Sequence, residues 1–260
     1  GFDIGLGGMI KTLEYGAPED RRPMERGRSV RIKVEHVAKT YVTRGLWPLV
    51  RRNEVLTDAS MEVEAGEISA IVGANGSGKS TLMMIIAGVL EPDAGRVYRS
   101  GGLGYCPQQP VLYDRLTVDE TFRLFGVAYG MEDKAIARRK GELMDALEFG
   151  GYHDYRVEYL SGGSRQKLNL AVALLHDPDV LLLDEPYSGF DYETYLRFWE
   201  IAKGLAGGGK SILIVSHFVE ERGRFDRIYR VRDGRSVRET GNGGEDASEE
   251  PTELGDDDRR

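Results

Sequence analysis

Residues 73 to 81 read Gly-Ala-Asn-Gly-Ser-Gly-Lys-Ser-Thr, and few folds accommodate such a run. Its glycines permit backbone angles that a Cβ forbids. Successive N–H groups can then point into one concavity and hold an anion. The flanks set the context. Glu67 to Val72 is apolar and rich in isoleucine and valine, as a buried strand is. Thr81 to Leu90 carries Leu82, Met83, Met84, Ile85 and Ile86, material for a buried helix. Strand, glycine loop and helix N-terminus in that order form a phosphate cradle, with the positive end of the helix dipole behind it. In the pattern G-x-x-x-x-G-K-[ST], Gly73, Asn75, Gly76, Ser77, Gly78 and Thr81 are expected to line the phosphates. Lys79 would reach the β- and γ-phosphates and Ser80 would ligate Mg²⁺. An ordinary glycine turn before a helix has the same local composition, so the loop's companions carry the decision.

Val180-Leu181-Leu182-Leu183-Asp184-Glu185 is an apolar run ending in two acids. A fully buried parallel strand has that composition, and charges at its C-terminal end fall where open α/β sheets bind ligands. There Asp184 would hold Mg²⁺ through its water shell and Glu185 would orient the attacking water; a solvated acidic turn fits the same residues. Leu160-Ser161-Gly162-Gly163 precedes Ser164-Arg165-Gln166-Lys167 and an apolar stretch through Leu175. That is a second helix start with a serine hydroxyl and glycine amides, suited to an anion or to simple N-capping.

Together these segments resemble the ABC ATPases. Leu160 to Gly163 resembles that family's signature motif, with Ser164 where the family usually has glutamine. Tyr105-Cys106-Pro107-Gln108 resembles its Q-loop, which would place Gln108 near Mg²⁺ and the lytic water. Ser188-Gly189-Phe190-Asp191 resembles its D-loop, with Asp191 the aspartate. Ile212 to His217 resembles the switch strand, with His217 on the γ-phosphate and Ser216 in place of the commoner threonine. Tyr41 resembles the aromatic that stacks on adenine. The resemblance runs from about Val30 to about Val237.

It implies an α/β fold: a P-loop NTPase core of the ABC type, a mixed sheet with flanking helices, an antiparallel β subdomain and an inserted α-helical subdomain at about 109–176. It implies ATP and Mg²⁺ as ligands, with Ser161, Gly162 and Gly163 completing the site of a second ATPase subunit, in a homodimer or heterodimer with two-fold symmetry. Lys79, Glu185, Gln108 and His217 are the expected catalytic residues. The implied function is that of an ATP-hydrolysing subunit driving a separate membrane permease from the cytoplasmic face, with export the preferred direction. Gln109 to Arg115 and Tyr129 to Met131 are the expected lining of the permease groove. The alternative is a non-transport member acting in translation or DNA repair, which would usually carry tandem cassettes or long coiled coils.

Composition narrows the rest. No run approaches 18 uninterrupted apolar residues, so no membrane span is expected. The formal charge is −8, but residues 241–260 hold eight acids against two arginines. That tail lacks apolar residues and is expected to be disordered, as is the glycine-rich segment 1–28, leaving 29–240 as the folded domain. Arginine outnumbers lysine 26 to 9 without forming a basic stripe, so no nucleic-acid partner is expected. The single cysteine, Cys106, excludes an intramolecular disulfide and reads as a small buried apolar residue. Strands are expected near Val30–Val34, Glu54–Val63, Glu67–Val72, Arg96–Tyr98, 180–184 and 211–215, with a closing hairpin around Asp233-Gly234. The short stretch from Arg96 to Gln108 points to a clipped hairpin before Gln108. Residues 44–55 look long for a hairpin after Tyr41.

Overall fold

The computed structural model describes residues 29–44, 50–216 and 219–239. Nine strands form one mixed sheet in the order β4-β1-β2-β9-β8-β3-β7-β6-β5. β1 (Val30–Arg44) and β2 (Val50–Glu64) are a long antiparallel pair, and β4 (Ala94–Arg99) adds antiparallel to β1. β3 (Ile68–Val72), β5 (Leu103–Cys106), β6 (Val180–Asp184), β7 (Ser211–Val215) and β8 (Arg227–Arg232) run parallel, and β9 (Arg235–Glu239) closes antiparallel on β8.

The parallel strands read as continuous apolar runs because both faces are covered. Val180 and Leu182 of β6, with Leu213 and Val215 of β7, face one core together with Leu82, Met83 and Ile86 of helix α1 (Lys79–Ala87). Leu181, Leu183, Ile212 and Ile214 face the other. That second core is filled by Leu168 to Leu175 in and after helix α4 (Gly162–Leu174) and by Phe198, Trp199 and Ala202 of helix α5 (Tyr192–Gly207). The alternation is the period-two geometry of a strand between two helical layers.

Between β5 and β6 lie helices α2 (Val118–Ala128) and α3 (Asp133–Ala146), two short 3-10 turns and α4. Thr117 and Glu120 form a reciprocal capping box at the start of α2, which satisfies backbone donors that would otherwise be orphaned there.

Two expectations need correction. Residues 96–108 do not form a hairpin. β4 pairs with β1 at one edge of the sheet and β5 pairs with β6 at the other. Leu103–Cys106 is buried between α4 and β6, so its partner lies some 77 residues downstream, Leu103 opposite Val180. The first strand, expected to stop near Val34, continues to Arg44, because His36 at φ 50° and the register shifts around Val37 let β1 turn and keep pairing with β2.

Candidate active site

Four parallel strands end in one row. Register places Ile71 opposite Val215, Val215 opposite Asp184 and Leu183 opposite Cys106. The residues that follow each strand, Gly73, Ser216, Glu185 and Pro107, therefore leave the sheet at the same edge, where open α/β sheets bind ligands.

The glycine loop leaves β3 and enters α1. Gly73 has φ 155°, and a Cβ there would stand 2.4 Å from the Val231 carbonyl oxygen and 2.8 Å from Ser77 Oγ. Gly78 has φ 104°, and its Cβ would meet the Val55 carbonyl at 2.9 Å. Only glycine lets the loop curl this tightly. Ser77 Oγ is buried without a hydrogen-bond partner among the described residues, whereas buried hydroxyls are as a rule hydrogen-bonded. Lys79 is 5% exposed, and its Nζ donates to the Gly73 and Ala74 carbonyls, both at 2.9 Å. Burial lowers its ammonium from the ordinary lysine value, and the charges of Glu185 and Asp184 act in the opposite direction. The lysine, the acids ending β6 and the glycine loop thus share one electrostatic environment.

Tyr41 joins them. With Thr43, Asn53 and Val55 it lines a cavity of about 410 Å³ whose other wall is Gly76, Gly78, Lys79, Ser80 and Thr81. The length of the hairpin does not carry Tyr41 away, because β1 and β2 stay paired past it. A second cavity of about 500 Å³ adjoins it, between Asn53 to Val55, the loop from Gly73 to Ser77 and Arg230 to Gly234. Thr43, Asn53 and Val55 were not legible as site residues. The available signal was their alternation along two strands, which carries no phosphate chemistry.

Ser80 stands exposed at the first turn of α1 and Asp184 is 3% exposed at the end of β6. A hydroxyl and a carboxylate are hard oxygen donors that suit Mg²⁺, which takes its remaining ligands from phosphate and water. Among the described residues no group of three or more His, Cys, Asp or Glu could hold a metal. Glu185 adopts φ 50°, a left-handed conformation that costs a side-chain-bearing residue about 1–2 kcal/mol, and its N–H donates to the Val215 carbonyl at 3.2 Å.

Ser161, Gly162 and Gly163 are not in this cavity. Ser161 caps α4, accepting from the Ser164 N–H at 3.1 Å and donating to Ser164 Oγ at 3.0 Å. The amide end of α4 is exposed, and Gly163 sits so close to Gly189 that a Cβ would meet its carbonyl at 2.8 Å. Asp191 likewise caps α5, accepting from the Thr194 N–H at 2.8 Å, and that bond lowers its carboxyl pKa. Gln108 is exposed, and the residue before it is held from α4: Asn169 Nδ2 donates to the Pro107 carbonyl at 2.9 Å. Gln166 Nε2 donates to the Pro186 carbonyl at 3.2 Å. Both amides are buried. Cys106 is fully buried with Asn169 Nδ2 3.2 Å from its Sγ, and burial raises its thiol pKa. His217 lies outside the described residues.

The ABC transporter family model matches residues 56–188. An uncharacterized ABC transporter ATP-binding protein of Methanocaldococcus jannaschii is 33% identical over 80% of this chain and 76% of its own length. Nod factor export ATP-binding protein I of Burkholderia lata is 36% identical over 71% of this chain and 65% of its own. The chain spans between 27% and 76% of the length of the curated relatives it matches. Among solved structures, an ATP-binding cassette in a dimeric post-hydrolysis state, bound to ADP and Pi, aligns with a TM-score of 0.73 at 26% identity, covering 82% of this chain and all of that one. The segment that carries the glycine loop, the acids ending β6 and the capped α4 lies within the matched residues, and the chain belongs to the ABC transporter family.

Proposed function

We propose that this chain is the ATP-binding and ATP-hydrolysing subunit of an ABC transporter, with its cassette spanning about 29–240. The observation that carries the reading is the convergence of Tyr41, the loop through Thr81 and the acids ending β6, while Ser161 to Gly163 stand apart. Adenine stacks on Tyr41. The loop amides and Lys79 hold the phosphates, and Ser80, Asp184 and Gln108 hold Mg²⁺, which supplies charge neutralisation on the transferring phosphoryl group. Glu185 orients the attacking water, and its strained backbone sets the carboxylate beyond the strand end. His217 contacts the γ-phosphate.

The exposed amide end of α4 stands apart from the cavity beside the glycine loop, which supports pairing of two ATPase subunits. Each would offer Ser161 and its glycines to the triphosphate held by the other, and Asp191 would lie at the same seam. ATP favours the closed pair and hydrolysis releases it, a shift of population through differential affinity. A separate membrane permease would be moved by that cycle, which places the subunit peripherally on the cytoplasmic face. Among the described residues no helix is long and apolar enough to cross a membrane. Export is the direction supported by the naming of the Nod factor relatives.

Replacing Glu185 by Gln tests the reading. With Mg-ATP the variant should accumulate as a dimer on size-exclusion chromatography while phosphate release falls at least about 100-fold. A strictly monomeric variant, or one that turns over at the parental rate, refutes it.

A further inference from the structure

We propose that Asn53 reads the base of the bound nucleotide and gives the site a preference for adenine. The proposal rests on the reading that a nucleoside triphosphate occupies the cavity beside the glycine loop, and it adds a specificity residue to that site.

The placement comes from strand register. Tyr41 of β1 is directly opposite Asn53 of β2. Opposed residues of an antiparallel pair project from the same face, with Cβ atoms about 4.5–5.5 Å apart. Both line the cavity walled by Gly76, Gly78, Lys79, Ser80 and Thr81. Thr43 and Val55, each two positions along its strand, line it as well, as the two-residue period of a strand requires. The face of the hairpin turned toward the loop therefore carries one aromatic ring and one carboxamide side by side.

Nothing in the fold accounts for that carboxamide. Asparagine is depleted in strands. Asn53 is exposed, and among the described residues nothing hydrogen-bonds its side chain. It also lines the adjoining cavity, so it stands on the wall between the two.

The two side chains differ in what they can recognise. A ring stacks on any base, because every base has a π-face. A carboxamide has a donor and an acceptor next to each other, the complement of the adenine edge that sets the 6-amino donor beside the N7 acceptor. Guanine sets two acceptors on the same edge, N7 and O6, so the amide can satisfy only one of them. Tyr41 would hold the base in place and Asn53 would identify it.

The test measures binding rather than turnover. Isothermal titration calorimetry of the full chain with magnesium would compare ATP, GTP and purine riboside triphosphate, which lacks the 6-amino group. The parent should bind ATP about 5- to 50-fold more tightly than either competitor. In Asn53→Ala, and in the strand-compatible Asn53→Thr, the three affinities should come within about twofold of one another. Unchanged circular dichroism and thermal midpoint would show that the fold is intact. A parent that binds ATP and GTP equally, or variants that weaken all three nucleotides by one factor or none of them, overturns the assignment. A parent that binds none of the three removes the nucleotide reading of the cavity and this proposal with it.

Discussion

Tyr187 Oη donates a 2.8 Å hydrogen bond to Ser216 Oγ, with both side chains buried. It joins the loop after β6, two residues past Glu185, to the C-terminal end of β7. The phenol ring is packed edge-on against Tyr195 at 5.5 Å and Phe198 at 5.4 Å, with Trp199 at 6.2 Å. Arg224 covers the far side of that cluster, 5.1 Å from the Trp199 ring centroid. A large tyrosine reaching a small serine thus ties together two strand ends at the same edge of the sheet.

Tyr187→Phe keeps the ring and deletes the bond. The loss of a buried hydrogen bond costs about 1 kcal/mol, a fall of about 2–4 °C in thermal midpoint for a chain of this size. Ser216→Ala should cost a similar amount. The double variant should cost less than the two single losses added, as read from urea unfolding of all four proteins. Additive losses would mean that the two hydroxyls do not share one bond.

Gly73 and Gly76 separate close approach from backbone preference. Gly76 has φ 77° with nothing within 4 Å of its notional Cβ, so Gly76→Ala should cost about 1 kcal/mol of left-handed strain. Gly73→Ala adds a clash with the Val231 backbone and should cost more than about 2 kcal/mol. It should also abolish nucleotide binding. Denaturant midpoints and ATP titration check the pair; equal destabilisation would show that the loop moves aside.

Asn169→Ala removes the donor to Pro107 and leaves a small cavity beside Cys106. We expect a loss of about 2 kcal/mol and a lower rate of ATP hydrolysis, since the backbone one residue before Gln108 loses its anchor. Urea unfolding and a phosphate-release assay test this. Full turnover in a destabilised variant would separate the anchor from the chemistry.

His176 makes the fold sensitive to acid. Its Nε2 is 3.1 Å from the Leu103 carbonyl and its ring stacks on Tyr129 with centroids 3.8 Å apart. Burial is the main cause that pushes its pKa down to about 4. The folded protein therefore holds the ring neutral, while the unfolded chain protonates it near 6.5. The resulting stability is fully present above pH 6.5 and is lost as pH falls toward 4. In His176→Gln the decline in urea midpoint between pH 6.5 and pH 5 should be shallower than in the parent. Equal slopes would assign the acid sensitivity to carboxylates.

The glycine loop was readable because its residues are contiguous in the chain, between an apolar strand and an apolar helix. The acids at 184 and 185 announce themselves at the end of an apolar run. Cys106 was readable as buried because it sits in a short apolar stretch beside a proline turn. Asn53 was not, since an exposed polar residue in a strand has no meaning until register sets it across from Tyr41.

The same contrast holds for the sheet. Composition along the chain marked most of the segments that become strand, glycine loop and helix, though not β5 or the second half of β1, because backbone sterics and two- or 3.6-residue periodicity act within a few residues. It could not say that β4 and β5 part to opposite edges, that Asn169 and Gln166 brace two separate loops, or that Tyr187 meets Ser216. Those are pairings between residues 20 to 77 positions apart. Long-range hydrogen bonding and close packing choose among many partners of equal local merit, and only the folded arrangement makes that choice.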